Sequence, residues 1–448
     1  MITATTVSST RKDTLQKARR AVLGAVLSDV EARRPLVLLK APPGSGKTYV
    51  LVRAAALAKH RGLRVAVATQ TNSQADDLCR RLGEAFPAAD THRFASSSYD
   101  PGDLGPAVTV IRTARELPMD SAVVVATTAK WASTKNVPAF DTLLIDEAWQ
   151  MPWADFMLLA PVAERFVLVG DPGQIEPTVT IPVPRWETSP RAPHRAAPAV
   201  ILSDDSIPRV VRELPVSTRL PHDTVALVKT FYDFHFDAWS DPGERRLDAN
   251  AVKKRVAGVD DAIELLGTGS LSLLTLPTPD DGAPDDDREL AATAASVARR
   301  LLERGAVAVM NGERIPLTAD DIGMVATHRA MNTRLVEALG DLAGRVRVDT
   351  PERWQGLERK VMVAVHPLSG VASPSGFDLS TGRLCVMASR HEVGMVVVSR
   401  DHVGETLAAC VTVADQAPCT EDANGRGHAQ HTAVWLWFER NGRVARRS

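Results

Sequence analysis

The chain is poor in cysteine and aromatic residues and carries almost no net charge. Its 448 residues include only 4 cysteines (Cys79, Cys385, Cys410, Cys419), scattered and without a CxxC pair. That excludes a disulfide scaffold and suits a reducing compartment. Cys410 and Cys419 with His428 and His431 match no usual zinc spacing, so a metal cluster there is not expected. Lys+Arg number 53 against 54 Asp+Glu, a net charge of -1. This excludes a passive polyanion binder working by bulk attraction and leaves room for a local basic groove. No apolar run approaches the roughly 20 residues needed to cross a bilayer. Residues 1–11 lack the apolar core of a signal peptide, so the cytoplasm is the expected location, with no membrane partner.

What is present is an ordinary globular composition, 44% hydrophobic, in a chain long enough for two or three domains at about 100–200 residues each. Leu15, Ala18, Val22 and Val26 follow helical spacing. Short continuous apolar runs at 36–39, 65–68, 108–111, 123–126, 143–145 and 166–169 read as buried strands, with helices expected over 47–60 and 72–81. From 181 to 221 the text is Pro-rich (Pro182, Pro184, Pro190, Pro193, Pro198, Pro208) and reads as a linker or an irregular crossover. The rhythm resumes with strands at 271–276, 322–326, 345–348, 361–365 and 395–398 and a helix over 287–304, with an acidic loop at 277–287. Such alternation predicts an α/β fold of parallel sheets covered on both faces. The expected division is 1–200, 201–411, and a tail at 412–448. In that tail, Val434-Trp435-Leu436-Trp437-Phe438 reads as a strand closing the second sheet, and 440–447 as a frayed basic end.

One segment carries chemistry by itself. Ala41-Pro42-Pro43-Gly44-Ser45-Gly46-Lys47-Thr48 is a Walker A sequence between an expected strand and an expected helix. Gly44, Ser45 and Gly46 let backbone N–H groups curl around an anion. Lys47 is placed to reach the β- and γ-phosphates of ATP, and Thr48 to ligate Mg²⁺. Leu143-Leu144-Ile145-Asp146-Glu147 supplies the second half. Asp146 is the candidate metal carboxylate, and Glu147 the group that orients or deprotonates the attacking water.

Beyond these, the chain resembles superfamily 1 helicases of the up-frameshift-like group (superfamily 1B), in order from about Gln16 to Val398. Asp146-Glu147-Ala148-Trp149-Gln150 resembles that group's DEAxQ box, and Gly170-Asp171-Pro172-Gly173-Gln174 its GDxxQ motif. Thr69-Gln70-Thr71-Asn72 and Ala126-Thr127-Thr128 are similar to its motifs Ia and Ib. In the second half, Leu214-Pro215-Val216-Ser217-Thr218-Arg219, the segment 322–329, Thr350-Pro351-Glu352-Arg353-Trp354-Gln355-Gly356-Leu357-Glu358 and the segment 383–390 continue the series.

The resemblance implies two RecA-like domains with ATP and Mg²⁺ in the cleft between them. It implies Gln16 and Glu358 as nucleotide contacts, Gln174 as γ-phosphate sensor, and Arg219 and Arg390 as arginine fingers. It places Thr71, Asn72, Thr127, Thr128, Thr327 and Thr350 along a single nucleic-acid strand. The implied activity is 5′→3′ translocation on single-stranded nucleic acid, with helicase activity. DNA is preferred over RNA, the chain is expected to be a monomer, and a protein loading partner is possible. Three departures from the family stand out. No room exists between Gln16 and Lys47 for an inserted barrel; Thr218 replaces the aromatic before the motif IV Arg; and Ser389-Arg390-His391 and Glu352 replace Thr-Arg-Ala and Asp. With aromatics at 5%, a long base-stacking channel is not expected. Trp131 and Trp354 are the candidates for stacking, core packing being the preferred role of both. Two other readings remain: a nucleotide-driven switch acting on a protein partner without unwinding, and a plain NTPase whose nucleic-acid surface has decayed.

Overall fold

A computed structural model describes residues 2–179, 182–186, 188–279, 284, 286–371, 373–409 and 422–447, with side chains from residue 10 onward. Cys410 and Cys419 lie outside the described residues. The chain forms two compact units. The first is Met1–Pro172 with Glu176–Val216, the second Gly173–Ile175 with Ser217–Ser448. Among the described residues no helix is long and apolar enough to cross a membrane.

The first unit opens with the helix Ile2–Glu31, followed by strands β1 (Leu36–Lys40), β2 (Val65–Thr69), β3 (Thr91–Phe94), β4 (Val108–Ile111), β5 (Val123–Thr127), β6 (Thr142–Ile145), β7 (Phe166–Gly170) and β8 (Val210–Glu213). They pair in the order β4-β3-β5-β2-β6-β7-β1-β8, every pair parallel. Successive side chains of a strand point to opposite faces, so the continuous apolar runs fill two cores. Val37, Leu39, Val65, Val67, Val123 and Val125 pack with the helices Lys47–His60 and Asn72–Ala85. Leu36, Leu38, Ala66, Ala68, Val124 and Ala126 face Trp131, Phe140 and Phe156 on the other side.

Two strands of this sheet were not foreseen from the sequence. β3 reads Thr-His-Arg-Phe, yet Arg93 is wholly buried. Its charge is met by Asp76 at 2.6 Å, and it also donates to Asn72 Oδ1 at 2.8 Å and Phe94 O at 2.9 Å. β8 lies in the stretch expected to be a linker. That stretch also holds the helix Ala197–Ser203, whose Val200 and Ile201 are buried, so its prolines punctuate folded structure.

After β9 (Val216–Ser217), which straddles the division, the second unit holds β10 (Asp237–Ala238), β11 (Arg246–Asp248), β12 (Leu271–Leu276), β13 (Val307–Met310), β14 (Glu313–Pro316), β15 (Ile322–Val325), β16 (Arg347–Asp349), β17 (Arg359–Val365), β18 (His391–Arg400) and β19 (Val444–Arg446). Its main sheet runs β16-β15-β17-β18-β12-β19, again all parallel. β11, β13 and β14 form a small antiparallel sheet.

The end of the chain differs from expectation. Residues 434–438 belong to the helix Ala423–Arg440, with Val434, Trp435 and Phe438 buried at the spacing of one helical face. A short aromatic run does not by itself separate strand from helix, and here helical packing against the second core wins. The strand that closes the sheet is β19, in the stretch read as a frayed end. Leu273, Leu274 and Thr275 pair with Val444, Ala445 and Arg446.

Three histidines of this unit are buried and held neutral. Burial pushes His391 down to about 3 and His431 to about 4, and holds His366 well below 6.5. His366 also faces His431 and His402. His431 faces His428, with Asp378 acting the other way, and His391 feels Arg219 and Arg245 against Asp223. With folded pKa values depressed, the unfolded chain binds more protons, so their stabilisation is complete above about pH 6.5 and falls away as pH drops toward 4. The unfolding free energy from urea titration should therefore fall between pH 7 and pH 5, by up to about 1.4 kcal/mol per histidine per pH unit, and His431→Leu should flatten that slope. Asp146, in the first unit, is shifted upward and works with the opposite sign. A stability independent of pH over this range, once the opposing offsets of Asp146 and of Glu392, likewise raised by burial, are removed by Asp146→Asn and Glu392→Gln, would refute the expectation.

Candidate functional site

The site of the first unit lies along the C-terminal ends of its parallel strands, where open α/β sheets bind ligands. β1 feeds the turn 41–46, and Gly46 begins the helix Lys47–His60 at φ 90, a left-handed conformation that favours glycine. Gly44 is also left-handed, at φ 69. The turn presents successive backbone N–H groups at the start of a 14-residue helix, the arrangement that receives phosphate. Ser45 Oγ is buried, with no protein partner among the described residues.

Lys47 Nζ lies 3.1 Å from Glu147 Oε1 and donates to Oε2 at 3.3 Å. Burial works to lower the Lys47 pKa, but Glu147, Asp171 and Asp146 outweigh it and hold the ammonium above its ordinary value. Asp146 moves the other way. Burial, and then the Glu147 carboxylate beside it, raise its carboxyl against the pull of Lys47. Three carboxylates thus share one ammonium. A divalent cation beside Asp146 would reverse that rise, so the donor set fits Mg²⁺.

Glu147 is held in the left-handed region, φ 51 and ψ 41, at a cost of about 1–2 kcal/mol for a non-glycine residue. Its backbone N–H donates to Asp146 Oδ1 at 2.9 Å, and Gln150 Nε2 reaches its Oε2 at 3.5 Å. Gly170 permits the turn that follows. A Cβ there would stand 2.8 Å from Trp149 Cε3 and 3.0 Å from Ala148 N. Its carbonyl accepts from Ala41 N at 2.9 Å, tying β7 to the start of the glycine turn.

The order β5-β2-β6-β7-β1 fixes what lies beside the glycine turn and the acidic pair. Thr69 and Thr127 are register partners at the ends of β2 and β5. Thr71 caps the helix Asn72–Ala85, accepting from Gln74 N at 3.2 Å, and Thr127 accepts from Lys130 N at 3.2 Å. Both hydroxyls act as acceptors, so each keeps an O–H to donate. Thr128 is buried and donates to Thr69 O at 3.2 Å. Asn72 receives Arg93. Trp131 is core: it donates to Val67 O at 2.9 Å and packs on Phe94 and Phe140.

Gln16 is half-buried on the first helix. One turn on, Arg19 places Nη2 3.4 Å from where a Cβ of Gly46 would stand. Gln16 and Arg19 therefore share the helix face that meets the glycine turn.

In the second unit, the other expected residues converge separately. Arg219 Nη1 is ion-paired with the Glu358 carboxylate, and its Nη2 donates to Ser389 O at 3.1 Å. Arg390, next in sequence to Ser389, is buried. Arg245 supports them, donating to Thr218 O at 2.9 Å and to Glu392 O at 3.2 Å, and also to Arg219 O. Gln174 belongs to this unit, where a Cβ on Gly382 would stand 2.7 Å from its carbonyl oxygen. Thr327 is buried, with its hydroxyl toward Met387 Sδ at 3.8 Å, and Thr350 is half-buried before the turn Pro351–Trp354. Trp354 is buried and donates to Met324 O at 3.0 Å. Glu352 accepts from Arg383 Nε at 2.7 Å.

Sequence reasoning overlooked Asp171, Arg19 and Arg245. The signal for Asp171 was present in Gly170-Asp171-Pro172-Gly173-Gln174, where only the glutamine drew a role. Arg19 and Arg245 stand in no motif, and only folding reveals them.

Residues 25–180 match the family model of an AAA domain. No curated protein matches the chain. Solved structures similar to it include an arterivirus nonstructural protein 10, a helicase in complex with DNA, at 15% identity over 85% of this chain and 64% of that one, TM-score 0.43. The helicase of PRRSV follows at 13% identity, 85% and 54% coverage, TM-score 0.41. A third is the DUF1998 helicase MrfA bound to DNA, at 12% identity, 85% and 48% coverage, TM-score 0.44. The chain spans less than two thirds of the length of each. The stretch that is similar to an AAA domain, residues 25–180, holds both the glycine turn between β1 and its helix and the acidic pair at the end of β6.

Proposed function

We propose that the protein is an ATP-dependent translocase on single-stranded nucleic acid, with DNA favoured over RNA, 5′→3′ polarity and helicase activity following from its resemblance to superfamily 1B. One observation carries the reading: a single strand order brings the Thr71 hydroxyl, just past the end of β2, and the Thr127 hydroxyl, at the end of β5, to the same sheet edge as the glycine turn after β1 and the carboxylates after β6 and β7.

The chemistry follows from the groups in place. The N–H groups of the glycine turn and the Lys47 ammonium hold the β- and γ-phosphates. As Lys47 turns to phosphate it releases Glu147, whose carboxylate then orients a water and takes its proton. Thr48 and Asp146 would hold Mg²⁺, which would supply neutralisation of phosphate charge. Gln16, Ser45 and Glu358 serve nucleotide binding, Gln174 senses the γ-phosphate, and Arg219 and Arg390 meet the charge that develops in the transition state. Thr71, Asn72, Thr127, Thr327 and Thr350 line the strand. Thr128 is buried beneath them, so its contact falls to Thr127.

A second reading, a nucleotide-driven switch for a protein partner, is favoured by the local bonds that Thr71, Asn72 and Thr127 already make. Steady-state ATPase with and without single-stranded DNA or RNA separates the two, with Lys47→Ala as the blank. The translocase reading expects strong stimulation by one polymer. It also expects binding that weakens with salt, at about 0.7 log units per log unit of salt for each phosphate contact. An unstimulated rate that Lys47→Ala still abolishes would sink it and leave the switch.

A further inference from the structure

Both tryptophans that could have stacked on a base are core residues, yet among the described residues the second unit holds one large aromatic side chain exposed to solvent. Phe377 is 45% exposed, in the loop that precedes the helix Thr381–Ala388. An exposed phenyl ring is ordinarily a loosely held one. This ring is fixed from several directions. The Arg383 guanidinium lies 3.9 Å from its centroid, and Arg383 Nη1 donates to Phe377 O at 3.1 Å. The His328 ring lies 5.4 Å away.

The residues around the ring are held in turn. Asp378 is buried, accepting from Ser375 N at 3.0 Å and Ser375 Oγ at 2.6 Å and bonded to His328 Nε2 at 3.1 Å. Arg383 is fixed by Glu352. His328 follows Thr327 directly and Glu352 lies two residues after Thr350, so the ring stands among the residues proposed to line the strand.

We infer that Phe377 is a stacking platform for one unpaired nucleobase, an inference that rests on the translocase reading. The local charge argues for a base over a phosphate. Arg383 is matched by Glu352, and His328 by Asp378, so the site offers no unmatched cation among these four groups. What it offers is a preorganised π-face, polarised by a guanidinium, which every base can use. The same face accounts for sequence-tolerant grip in a chain with few aromatics.

The test compares binding of a labelled oligo-dT strand and an abasic strand of equal length, by fluorescence anisotropy, across a salt series. Wild type should prefer oligo-dT. Phe377→Ala should weaken oligo-dT binding about 5- to 150-fold and leave the abasic strand and the salt slope unchanged, because no phosphate contact is lost. Phe377→Tyr should keep the preference, and Phe377→Leu, which retains bulk without a π-face, should lose it. Thermal melting should be unaffected in all three, since the ring is half out of the fold. A wild type that binds oligo-dT but loses nothing on Phe377→Ala overturns the platform and leaves the translocase reading standing. A wild type that binds neither strand overturns both.

Discussion

Glu147→Gln is expected to lower ATP turnover about 10²- to 10⁴-fold, the range for loss of a general base, while nucleotide still binds. The amide has the size and reach of the carboxylate it replaces, so the left-handed turn at 147 and its link to Gln150 can persist. What is lost is the capacity to take a proton. The substitution also removes one of the three carboxylates around Lys47 and the neighbour that raises Asp146. Lys47 is then less tightly held before nucleotide arrives, and affinity should be equal to or greater than that of the wild type. Lys47→Ala should behave differently, losing affinity and turnover together. Steady-state ATPase beside a fluorescent-nucleotide titration reads both quantities. A Gln variant with turnover near that of the wild type would remove Glu147 from the chemistry and leave it only the ion pair with Lys47.

The glycine turn and the acidic pair of the first unit were legible because their requirements are local. A glycine turn needs Gly44 and Gly46 at positive φ, a buried strand needs continuous apolar residues, and both leave marks within a few positions of the groups they present. The same locality made β1, β2, β5, β6 and β7 readable. β3 was not, because what buries Arg93 is Asp76 and Asn72 on a neighbouring helix, and a long-range ion pair leaves no periodicity. The run 434–438 was misjudged for a related reason: five apolar residues satisfy a strand or a helix face equally, and the tertiary surface chose. Arg19 and Phe377 lay beyond reach. One is defined by its approach to Gly46, the other by what fails to cover it, and neither property is local to the sequence.

Arg219→Ala is expected to lower kcat by about 10³-fold or more, the scale on which arginine fingers act, with little change in fold stability. The distinction from Arg390 rests on environment. Arg390 is 2% exposed, so its removal would disturb packing as well as chemistry. Arg219, its own side chain 15% exposed, is ion-paired with a Glu358 side chain that is 45% exposed, so solvent screens the pair from the carboxylate side, toward the roughly 0–1 kcal/mol of surface pairs. The loop around it is held independently by Arg245 through the carbonyls of Thr218 and Glu392. Truncation should therefore leave the thermal midpoint close to that of the wild type, and a large loss of turnover can be read as chemistry. Arg219→Lys should recover little of it. The ammonium keeps the charge but cannot reproduce the planar fork that pairs with Glu358 and Ser389 together and would pair with phosphate oxygens. The kinetic constants decide between roles: a fall in kcat at constant KM places the guanidinium on the transition state, whereas a rise in KM at constant kcat makes it a binding group only.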